Sequence, residues 1–431
     1  MIKGKCLFVV SLIVLLVVLP LLTSCTSQKT DVVPSVAPQP TTKSATVKIG
    51  GAFDLTGPYA QNCKPMLQGF IDYVKYVNET KQLAPWRDDK FPENVTIELL
   101  WGDTHLEVPK VLSVYEDLTS KGILTYRTEG TDSNLALKDR LVKANLASTT
   151  NAPSAAAVAP PATIFTNTPI YSDSCGAYVD WFLENWKEDR PPRFAFLTAD
   201  SAFGRSVDIP EVHNYLKSKG IVVVGSSFVP MVCTAPPTTQ LMWLKENKVD
   251  FTFGAMIGPG GEPTLKEAAR LGMGPHGDYK ITFGQTTTFD ISLAAENLGK
   301  TADGAVWAGV YPPWGEDSPG VKFATELQNK YHPQEWFGSF SYFLGLIEAM
   351  LHVEAVRLAL EVVPADQLKP ADILNHGFHK IKNFSTGNLT ASPLTYGPSD
   401  VEGVDRARID TIVNGKHTAV GSYPLRGLFP K

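Results

Sequence analysis

The sequence predicts an α/β fold in which two doubly wound, parallel-sheet lobes are joined by a hinge. From residue 46 onward, short segments rich in β-branched residues alternate with amphipathic helical segments. This alternation indicates a parallel sheet covered by helices on both faces. The alternation begins again near residue 177, which indicates a second unit of similar size. The chain has 431 residues, 43% of them hydrophobic, which is enough for two ordinary cores.

The first predicted lobe alternates four strands with three helices. Its strands are predicted at 46–53, 95–101, 122–126 and 146–148, and its helices at 66–78, 108–120 and 134–143. The strands follow short apolar runs, and the helices follow apolar residues at helical spacing. We expect the loops after these strands to carry polar side chains toward a common edge.

The second predicted lobe continues the same pattern. Its helices are predicted at 177–187, 207–219, 240–246 and 264–271, and its strands at 193–197, 221–228, 251–255 and 280–286, with a last strand at 408–413. A long apolar helix is predicted at 340–360.

The chain is predicted to cross between the lobes near residues 167–172, 308–313 and 382–392. Lobe 1 is therefore expected to contain residues 46–168 and 311–383, and lobe 2 residues 169–310 and 384–431. The cleft between two such lobes is the expected place for a ligand.

The N-terminus predicts a secretory signal peptide at residues 1–24. Lys3 and Lys5 precede an apolar run over 7–22, and small residues follow it. The segment 22–25, Leu-Thr-Ser-Cys, resembles the bacterial lipobox, in which the cysteine, here Cys25, is acylated. An uncleaved signal anchor is the alternative.

Residues 25–45 are then the lipidated cysteine and a flexible tether of Ser, Thr, Pro, Val and Gln. Acylation of Cys25 with more than one chain would anchor the protein stably to the outer face of the cell membrane.

The charge of the chain limits the classes of partner that the protein can have. The net charge is −5 without a cluster of Lys and Arg, which argues against a nucleic-acid partner.

Beyond Cys25, the cysteines are Cys63, Cys175 and Cys233. An oxidising compartment allows one disulfide and leaves one free thiol. The sequence does not determine the pair, although Cys175–Cys233 is slightly favoured over three separate thiols.

The sequence predicts no catalytic residue, no cofactor and no metal site. It contains no phosphate loop, no His-Glu-x-x-His motif and no Gly-x-Ser-x-Gly elbow. The glycine-rich segment 258–261 lacks dinucleotide-binding spacing, and Pro259 removes a backbone donor, so a strand-to-helix turn is predicted there. His376 and His379 lack further ligands nearby and are interpreted as surface histidines.

Six segments, in order along the chain, resemble a known family. They are Gly-Gly-Ala-Phe-Asp-Leu-Thr-Gly-Pro-Tyr-Ala at 50–60, Gly-Thr-Asp-Ser at 130–133, Ser-Thr-Thr-Asn-Ala-Pro at 148–153, Asp-Ser-Ala-Phe-Gly-Arg-Ser at 200–206, Leu-Thr-Tyr-Gly-Pro at 394–398 and Val-Asn-Gly-Lys at 413–416. From about residue 46 to its end, the chain resembles the substrate-binding proteins of ABC transporters for branched-chain amino acids and amides. These proteins are similar to the Leu/Ile/Val-binding protein.

The resemblance implies the type I periplasmic-binding fold and a monomer that performs no chemistry. It implies a receptor that closes around a small polar solute, such as an amino acid, a urea or amide, or a small organic acid, and delivers it to ABC permease subunits. A ligand sensor of the same fold, coupled to signalling, is the alternative. An enzyme is the third class and lacks any supporting motif.

The resemblance also implies the residues that contact the solute, which are Tyr59, Ser133, Thr149, Thr150, Asn151, Phe203, Gln285 and Thr286. The hydroxyls and the amide at 133 and 149–151 would hold its polar head. Tyr59 and Phe203 would close on it from opposite lobes. Free N–H groups at helix starts suit such a head. The alternatives are a plain N-cap for Ser133, strand-end packing for Thr149 and Thr150, and a core position for Phe203.

One departure from the family concerns the ligand. Amino acid binders of this type place a carboxylate after the strand predicted at 280–286 to pair with the ligand ammonium. Here residues 284–288 read Gly-Gln-Thr-Thr-Thr, and the first acid is Asp290. Since an unpaired buried ammonium is costly, we expect a solute that is not a simple α-amino acid, or an amine bound by neutral groups. Trp101, Trp307, Trp314, Trp336 and Phe337 are available to line the cleft around an apolar tail, although packing is the commoner role.

Overall fold

The computed structural model describes residues 44–428. The predicted signal peptide, the lipidated Cys25 and nearly all of the tether lie outside these residues. Among the helices that are described, none is long and apolar enough to cross a membrane.

The first sheet has five strands, and all of its pairs are parallel. The strands are β1 (Ala45–Phe53), β2 (Val95–Asp103), β3 (Thr125–Thr128), β4 (Ser148–Thr150) and β5 (Ile164–Thr166), in the order β2-β1-β3-β4-β5. The four predicted strands of this lobe are present. The fifth, β5, is three residues long, too short to give a periodic signal.

The second sheet has seven strands in the order β12-β11-β10-β9-β8-β6-β7. They are β6 (Arg193–Ala199), β7 (Val222–Val229), β8 (Phe251–Gly254), β9 (Thr282–Gln285), β10 (Ala305–Gly309), β11 (Arg406–Val413) and β12 (Lys416–Pro424). The pairs from β10 to β7 are parallel, whereas β11 pairs antiparallel with both β10 and β12.

The antiparallel edge of the second sheet departs from the purely parallel sheet expected from the sequence. Asn414 and Gly415, with φ of 52° and 73°, join β11 to β12. Two residues with positive φ make the tight turn that a hairpin needs. The Asn-Gly pair was present in the sequence and is the signal that predicts this hairpin.

Thirteen α-helical segments lie within the described residues. They are α1 (Ala60–Thr80), α2 (Val108–Ser120), α3 (Thr131–Ala144), α4 (Ala155–Val158), α5 (Tyr171–Asn185), α6 (Ala202–Arg205), α7 (Pro210–Ser218), α8 (Thr238–Glu246), α9 (Gly258–Arg270), α10 (Ile291–Leu298), α11 (Pro319–Tyr331), α12 (Ser341–Leu360) and α13 (Pro370–Asp372). All the predicted helices are present, and α2 has the predicted bounds.

Two helix predictions were wrong in detail, and a proline is involved in both. The helix expected at 207–219 is shorter and begins at Pro210 as α7, because proline suits the start of a helix and not its interior. The glycine-rich segment at 258–261 is the first turn of α9 rather than a turn before it, with Pro259 near the N-terminus where a missing N–H costs nothing.

The chain passes three times between the elements of the two sheets. It leaves the first sheet after β5, and α5 packs against β10, β11 and β12 of the second. It returns after β10, because α11 and α12 pack against α1 on the first sheet. It then reaches β11 through an irregular segment over 381–405. We call the first sheet with α1–α4 and α11–α13 lobe 1, and the second sheet with α5–α10 lobe 2; the predicted residue boundaries of the lobes remain a prediction.

Candidate ligand-binding site

A cavity of about 40 Å³ lies between the two lobes. A single bound water needs roughly 10–15 Å³ on this measure, so the space admits a small molecule only. Most of its walls follow the carboxyl ends of strands from both sheets, the usual ligand position in open α/β sheets. The lining residues are Tyr59, Leu106, Glu129, Gly130, Thr131, Asp132, Ser133, Asn151, Ala152, Tyr171, Phe203, Met231, Ile257 and Thr288.

The N-terminus of α3 forms one wall in lobe 1. Gly130 precedes the helix with φ of 81°, a conformation that glycine adopts without strain. The first intrahelical bond runs from Asn134 N to Gly130 O, at 3.0 Å. The N–H groups of Thr131, Asp132 and Ser133 therefore have no helical acceptor and are available to a polar ligand. Ser133 is buried and lines the cavity, as predicted from the sequence.

The loop after β4 forms the adjoining wall. The Asn134 side-chain amide donates to Thr150 Oγ1 at 2.8 Å and to Ala152 O at 2.9 Å, which fixes the loop against α3. Asn151 lies between these anchors, is 4% exposed, and its Oδ1 has no hydrogen-bond partner among the described residues. A buried polar atom without a partner costs about 1–3 kcal/mol, so a ligand that supplies a partner gains affinity there.

Thr149 and Thr150 do not line the cavity. Thr149 Oγ1 is 2.9 Å from His352 Nε2 inside lobe 1, and Thr150 Oγ1 accepts from Asn134. The sequence placed the end of this strand at residue 148, whereas β4 extends to Thr150. Because of that shift of two residues, both threonines belong to the strand and not to the loop.

Tyr59 reaches the cavity from the loop after β1. Asp54 holds this loop in place, since its carboxylate accepts from Gly57 N at 2.5 Å and from Tyr59 N at 2.7 Å. The Tyr59 ring is 4% exposed. Burial, with the nearby Glu129 carboxylate among the smaller causes, raises the pKa of the Tyr59 hydroxyl, which therefore stays a neutral donor.

Glu129 is a buried acid at the cavity wall that the sequence analysis did not select. Its Oε2 accepts from Asp54 N at 2.6 Å and lies 3.4 Å from Arg127, and its Oε1 accepts from the Cys63 thiol. Burial raises the pKa of Glu129, while Arg127 acts to lower it. These contacts already occupy both carboxylate oxygens. The signal in the sequence was an Arg and a Glu two residues apart at the end of a buried strand.

Phe203 closes the cavity from lobe 2. It lies on α6, where Ser201 Oγ accepts from Gly204 N at 3.2 Å and Thr198 Oγ1 donates to Gly204 O at 2.8 Å. A Cβ on Gly204 would lie 1.9 Å from the carbonyl oxygen of Ala199, so only glycine allows this turn. The turn brings Phe203 to the cavity from lobe 2, while Tyr59 lines it from lobe 1; that both close on a solute remains a prediction.

Tyr171, at the start of α5, is a second aromatic residue of this wall and was missed by the sequence analysis. Its ring packs edge-to-face on Phe203, with centroids 5.6 Å apart. Burial raises the pKa of its hydroxyl, with a smaller opposite effect from Thr131. Neither the Tyr171 hydroxyl nor that of Thr131 makes a hydrogen bond of normal geometry within the described residues. The predicted crossing at 167–172 was the available signal, because chain crossings border the cleft.

Gln285 and Thr286 are buried near the end of β9 but do not line the cavity; Thr288, two residues further on, does. Thr286 Oγ1 lies 2.9 Å from Thr288 Oγ1.

The five aromatic residues considered for an apolar tail are also absent from the lining. Trp307 is a core residue, and Trp101 is 46% exposed. The other three, Trp314, Trp336 and Phe337, pack near the start of α12. The apolar part of the wall consists instead of Leu106, Phe203, Met231 and Ile257.

Comparison with known proteins decides the family. A family model described as periplasmic binding protein matches residues 46–376, which is more than half of the chain. This chain belongs to the periplasmic binding protein family. The match confirms the family resemblance and covers four of its six segments, those between residues 50 and 206, and the two lobes with largely parallel sheets are the type I fold of that family.

Solved structures share the fold of this periplasmic binding protein at low sequence identity. A branched-chain amino acid ABC transporter protein from Thermus thermophilus, with bound valine, is 21% identical with a TM-score of 0.78, over 90% of this chain and 98% of that one. A fatty acid ABC transporter substrate-binding protein from Thermomonospora curvata is 19% identical with a TM-score of 0.73, over 89% and 93%.

A third structure is a solute-binding protein from Rhodopseudomonas palustris BisB5 in complex with 3,4-dihydroxybenzoic acid. It is 17% identical with a TM-score of 0.69, over 88% of this chain and 98% of that one. A search of curated protein sequences gave no match. At these identities the structural likeness establishes the fold alone.

The cysteines of this periplasmic binding protein differ from the slightly favoured expectation. Cys63, Cys175 and Cys233 are all free thiols in the structure, so the Cys175–Cys233 pairing was wrong. Cys175 is buried in α5, whereas Cys233 is partly exposed beside the first turn of α9, where its Sγ lies 3.7 Å from Gly260 O.

A Ser-His-Asp chain occurs in lobe 2, away from the residues that line the cavity between the lobes. Ser292 Oγ is 2.9 Å from His417 Nδ1, and His417 Nε2 is 2.7 Å from Asp410 Oδ2. None of the three lines the cavity between the lobes. The chain links the start of α10 to the β11–β12 hairpin, which is a bracing role. Among residues 44–428 no group of three or more His, Cys, Asp or Glu side chains is arranged to hold a metal ion.

Proposed function

We propose that this protein is the extracytoplasmic solute-binding component of an ABC importer, anchored to the membrane through a lipid on Cys25. It closes its lobes around a small polar solute and delivers that solute to a permease. The observation that carries the proposal is the cavity between the lobes, whose walls come from both lobes and contain buried polar groups without partners. A solute that satisfies groups of both lobes stabilises their closed arrangement.

The polar head of the solute is assigned to lobe 1. The free N–H groups at the start of α3, with the Ser133 hydroxyl beside them, suit a carboxylate, carbonyl or amide oxygen, whereas Asn151 Oδ1 is an acceptor and suits an N–H or O–H group of the solute. Tyr59 and Phe203 then cover the solute from opposite sides. Of the eight residues that the family resemblance implied, these four, Tyr59, Ser133, Asn151 and Phe203, are retained as ligand contacts.

The lobe 2 wall favours an uncharged part of the solute. Its lining residues Tyr171, Phe203, Met231, Ile257 and Thr288 carry no charge, and Asp290 does not line the cavity. The acids of the cavity wall are both in lobe 1: Glu129 is already bonded on both oxygens, and Asp132 is exposed to solvent. An ammonium group placed against lobe 2 would lack a carboxylate, which supports a urea, an amide or a small organic acid over a simple α-amino acid.

Calorimetric titration of the purified chain tests this proposal. The panel contains leucine, valine, urea, short amides, benzoate and short aliphatic acids. We expect micromolar binding, about −8 kcal/mol, by an amide or acid and weaker binding by leucine. Tight leucine binding would contradict the ligand assignment, and absence of binding by every compound, together with unchanged uptake in a deletion strain, would contradict the importer assignment.

A further inference from the structure

The Asp290 carboxylate joins lobe 2 to lobe 1 outside the ligand cavity. It is the N-cap of α10, where Oδ1 accepts from Ser292 N at 3.0 Å and from Leu293 N at 3.1 Å. Its other oxygen, Oδ2, accepts from Ser339 Oγ at 2.5 Å and from Asn62 Nδ2 at 3.3 Å. Asn62 lies in the first turn of α1 and Ser339 just before α12, so both donors belong to lobe 1.

These three residues are buried where the lobes meet. Asp290 is 3% exposed, Asn62 is 2% exposed and Ser339 is fully buried. No Lys, Arg or His within residues 44–428 forms an ion pair with Asp290, so hydrogen bonds from neutral groups hold its charge. A buried charge is costly unless it is well hydrogen-bonded. Half of the hydrogen bonds that compensate Asp290 therefore exist only while the lobes are together.

We propose that Asp290, Asn62 and Ser339 form a latch that stabilises the closed arrangement of the lobes independently of the solute. The proposal rests on the lobe closure of the proposed function and adds that the solute does not supply all of the closing free energy. A binding protein with such a latch has a population of closed molecules before it meets its solute, and the solute then increases that population.

The two oxygens of Asp290 allow the latch to be separated from the helix cap. Asn62→Ala and Ser339→Ala each remove a donor of lobe 1 and leave the bonds to Ser292 N and Leu293 N in place. Ser318→Ala is the matched control, because Ser318 is a buried serine of lobe 1 that caps α11 through Val321 N at 3.3 Å and is not bonded to lobe 2.

Pulsed electron paramagnetic resonance measures the lobe separation directly. Nitroxides are placed on the full chain at Lys143→Cys in α3 and Lys245→Cys in α8, both exposed, in a Cys233→Ser background, and no solute is added. We expect the wild-type distribution to contain a short, closed distance. Each of Asn62→Ala and Ser339→Ala should raise the open-to-closed ratio roughly fivefold to a hundredfold, the effect of removing a donor from a buried charge. Ser318→Ala should leave the distances unchanged.

Each of the following results overturns the latch. These are a wild-type distribution without the closed distance, distances in both latch variants equal to those of wild type, and an equal shift in the Ser318→Ala control. A lower melting temperature without a change in distance shows a purely structural contact and also overturns it. Because no solute is present, this outcome is independent of the calorimetric test: failure of every solute to bind contradicts the proposed function and leaves the latch result standing.

Discussion

Arg127 Nε lies 3.0 Å from Glu348 Oε2, and both side chains are fully buried in lobe 1. Arg127 also lies 3.4 Å from Glu129, at the cavity wall, and stacks over the Phe53 ring at 4.5 Å. One guanidinium therefore serves two buried carboxylates, and the pair joins β3 to α12. Burial acts against the charge of Arg127, and the two glutamates outweigh it and raise its pKa. The ligand cavity is thus built against a charge network and not against a purely apolar core.

Loss of Arg127 should destabilise the protein strongly. Arg127→Met leaves two buried carboxylates without their cation, and removal of one partner from a buried ion pair costs about 3–5 kcal/mol of unfolding free energy. Glu348→Gln should lower the unfolding free energy by a smaller amount, because Glu129 remains as a partner of Arg127. Urea unfolding followed by circular dichroism measures both values.

Arg140→Met is the matched control for this prediction. Arg140 pairs with Glu116 at 2.6 Å on the surface, where the side chains are 46% and 63% exposed, so its loss should cost less than about 1 kcal/mol. Equal costs for the buried and the surface pair would contradict the role given to Arg127.

Removal of the Tyr171 hydroxyl should weaken solute binding about tenfold, the effect of one lost hydrogen bond. The change Tyr171→Phe keeps the edge-to-face contact with Phe203. Tyr178→Phe is the control, because Tyr178 is also a buried tyrosine of α5 with an unpartnered hydroxyl, but it does not line the cavity. Calorimetry with the best compound of the panel should separate the two variants, and equal affinities for both would remove Tyr171 from the site.

Closure of the lobes should become more favourable as the pH falls. Burial raises the pKa of Asp290 to about 6 from its ordinary value of 3.8, with Ser339 among the smaller, opposing causes. Opening exposes the carboxylate and returns its pKa toward 3.8, so the closed form binds a proton more tightly. The stabilisation of the closed form by this proton is complete below about pH 4, decreases as the pH rises through 6 and is nearly absent at pH 7.5.

The closed-to-open ratio should therefore be about tenfold higher at pH 5 than at pH 7.5, because pH 5 lies one unit below a pKa of 6. His417, Glu262 and Tyr59 also act on Asp290 electrostatically. Asp290→Asn removes only the Asp290 titration and keeps a good N-cap, so it isolates this effect. The distance distribution of this variant should not change with pH; a variant that follows the wild-type profile would show that Asp290 is not the group responsible.

Membrane attachment should depend on Cys25 alone. Cys25→Ser removes the thiol that the lipobox-like sequence predicts to be acylated, and we expect the protein to move from the membrane fraction to the soluble extracytoplasmic fraction. Cys6→Ser is the control, since Cys6 lies within the predicted signal peptide, just before its apolar run. Fractionation and immunoblotting measure the distribution, and an unchanged membrane fraction in Cys25→Ser would favour the uncleaved signal anchor.

Four predicted site residues line the cavity because they lie beyond the true ends of their strands, even though the ends of β3, β4 and β6 were each predicted two residues early. Tyr59, Ser133, Asn151 and Phe203 follow strands whose carboxyl ends meet at the cleft, and all four line the cavity. Thr149 and Thr150 do not line the cavity, because β4 extends to Thr150 and includes both. A three-residue strand has too few positions for a periodic pattern to fix its end.

By itself, the sequence determined the α/β class, the two-lobed architecture and the family, because hydrophobic periodicity and six local motifs are properties of short segments. Only the tertiary structure decided which distant groups meet: Tyr171 beside Phe203, Glu129 beside Arg127, and Asp290 against Asn62, which lies 228 positions earlier in the chain. Such contacts depend on how complete lobes pack against each other. Their energies come from burial and from hydrogen-bond satisfaction at the interface, which no local pattern encodes.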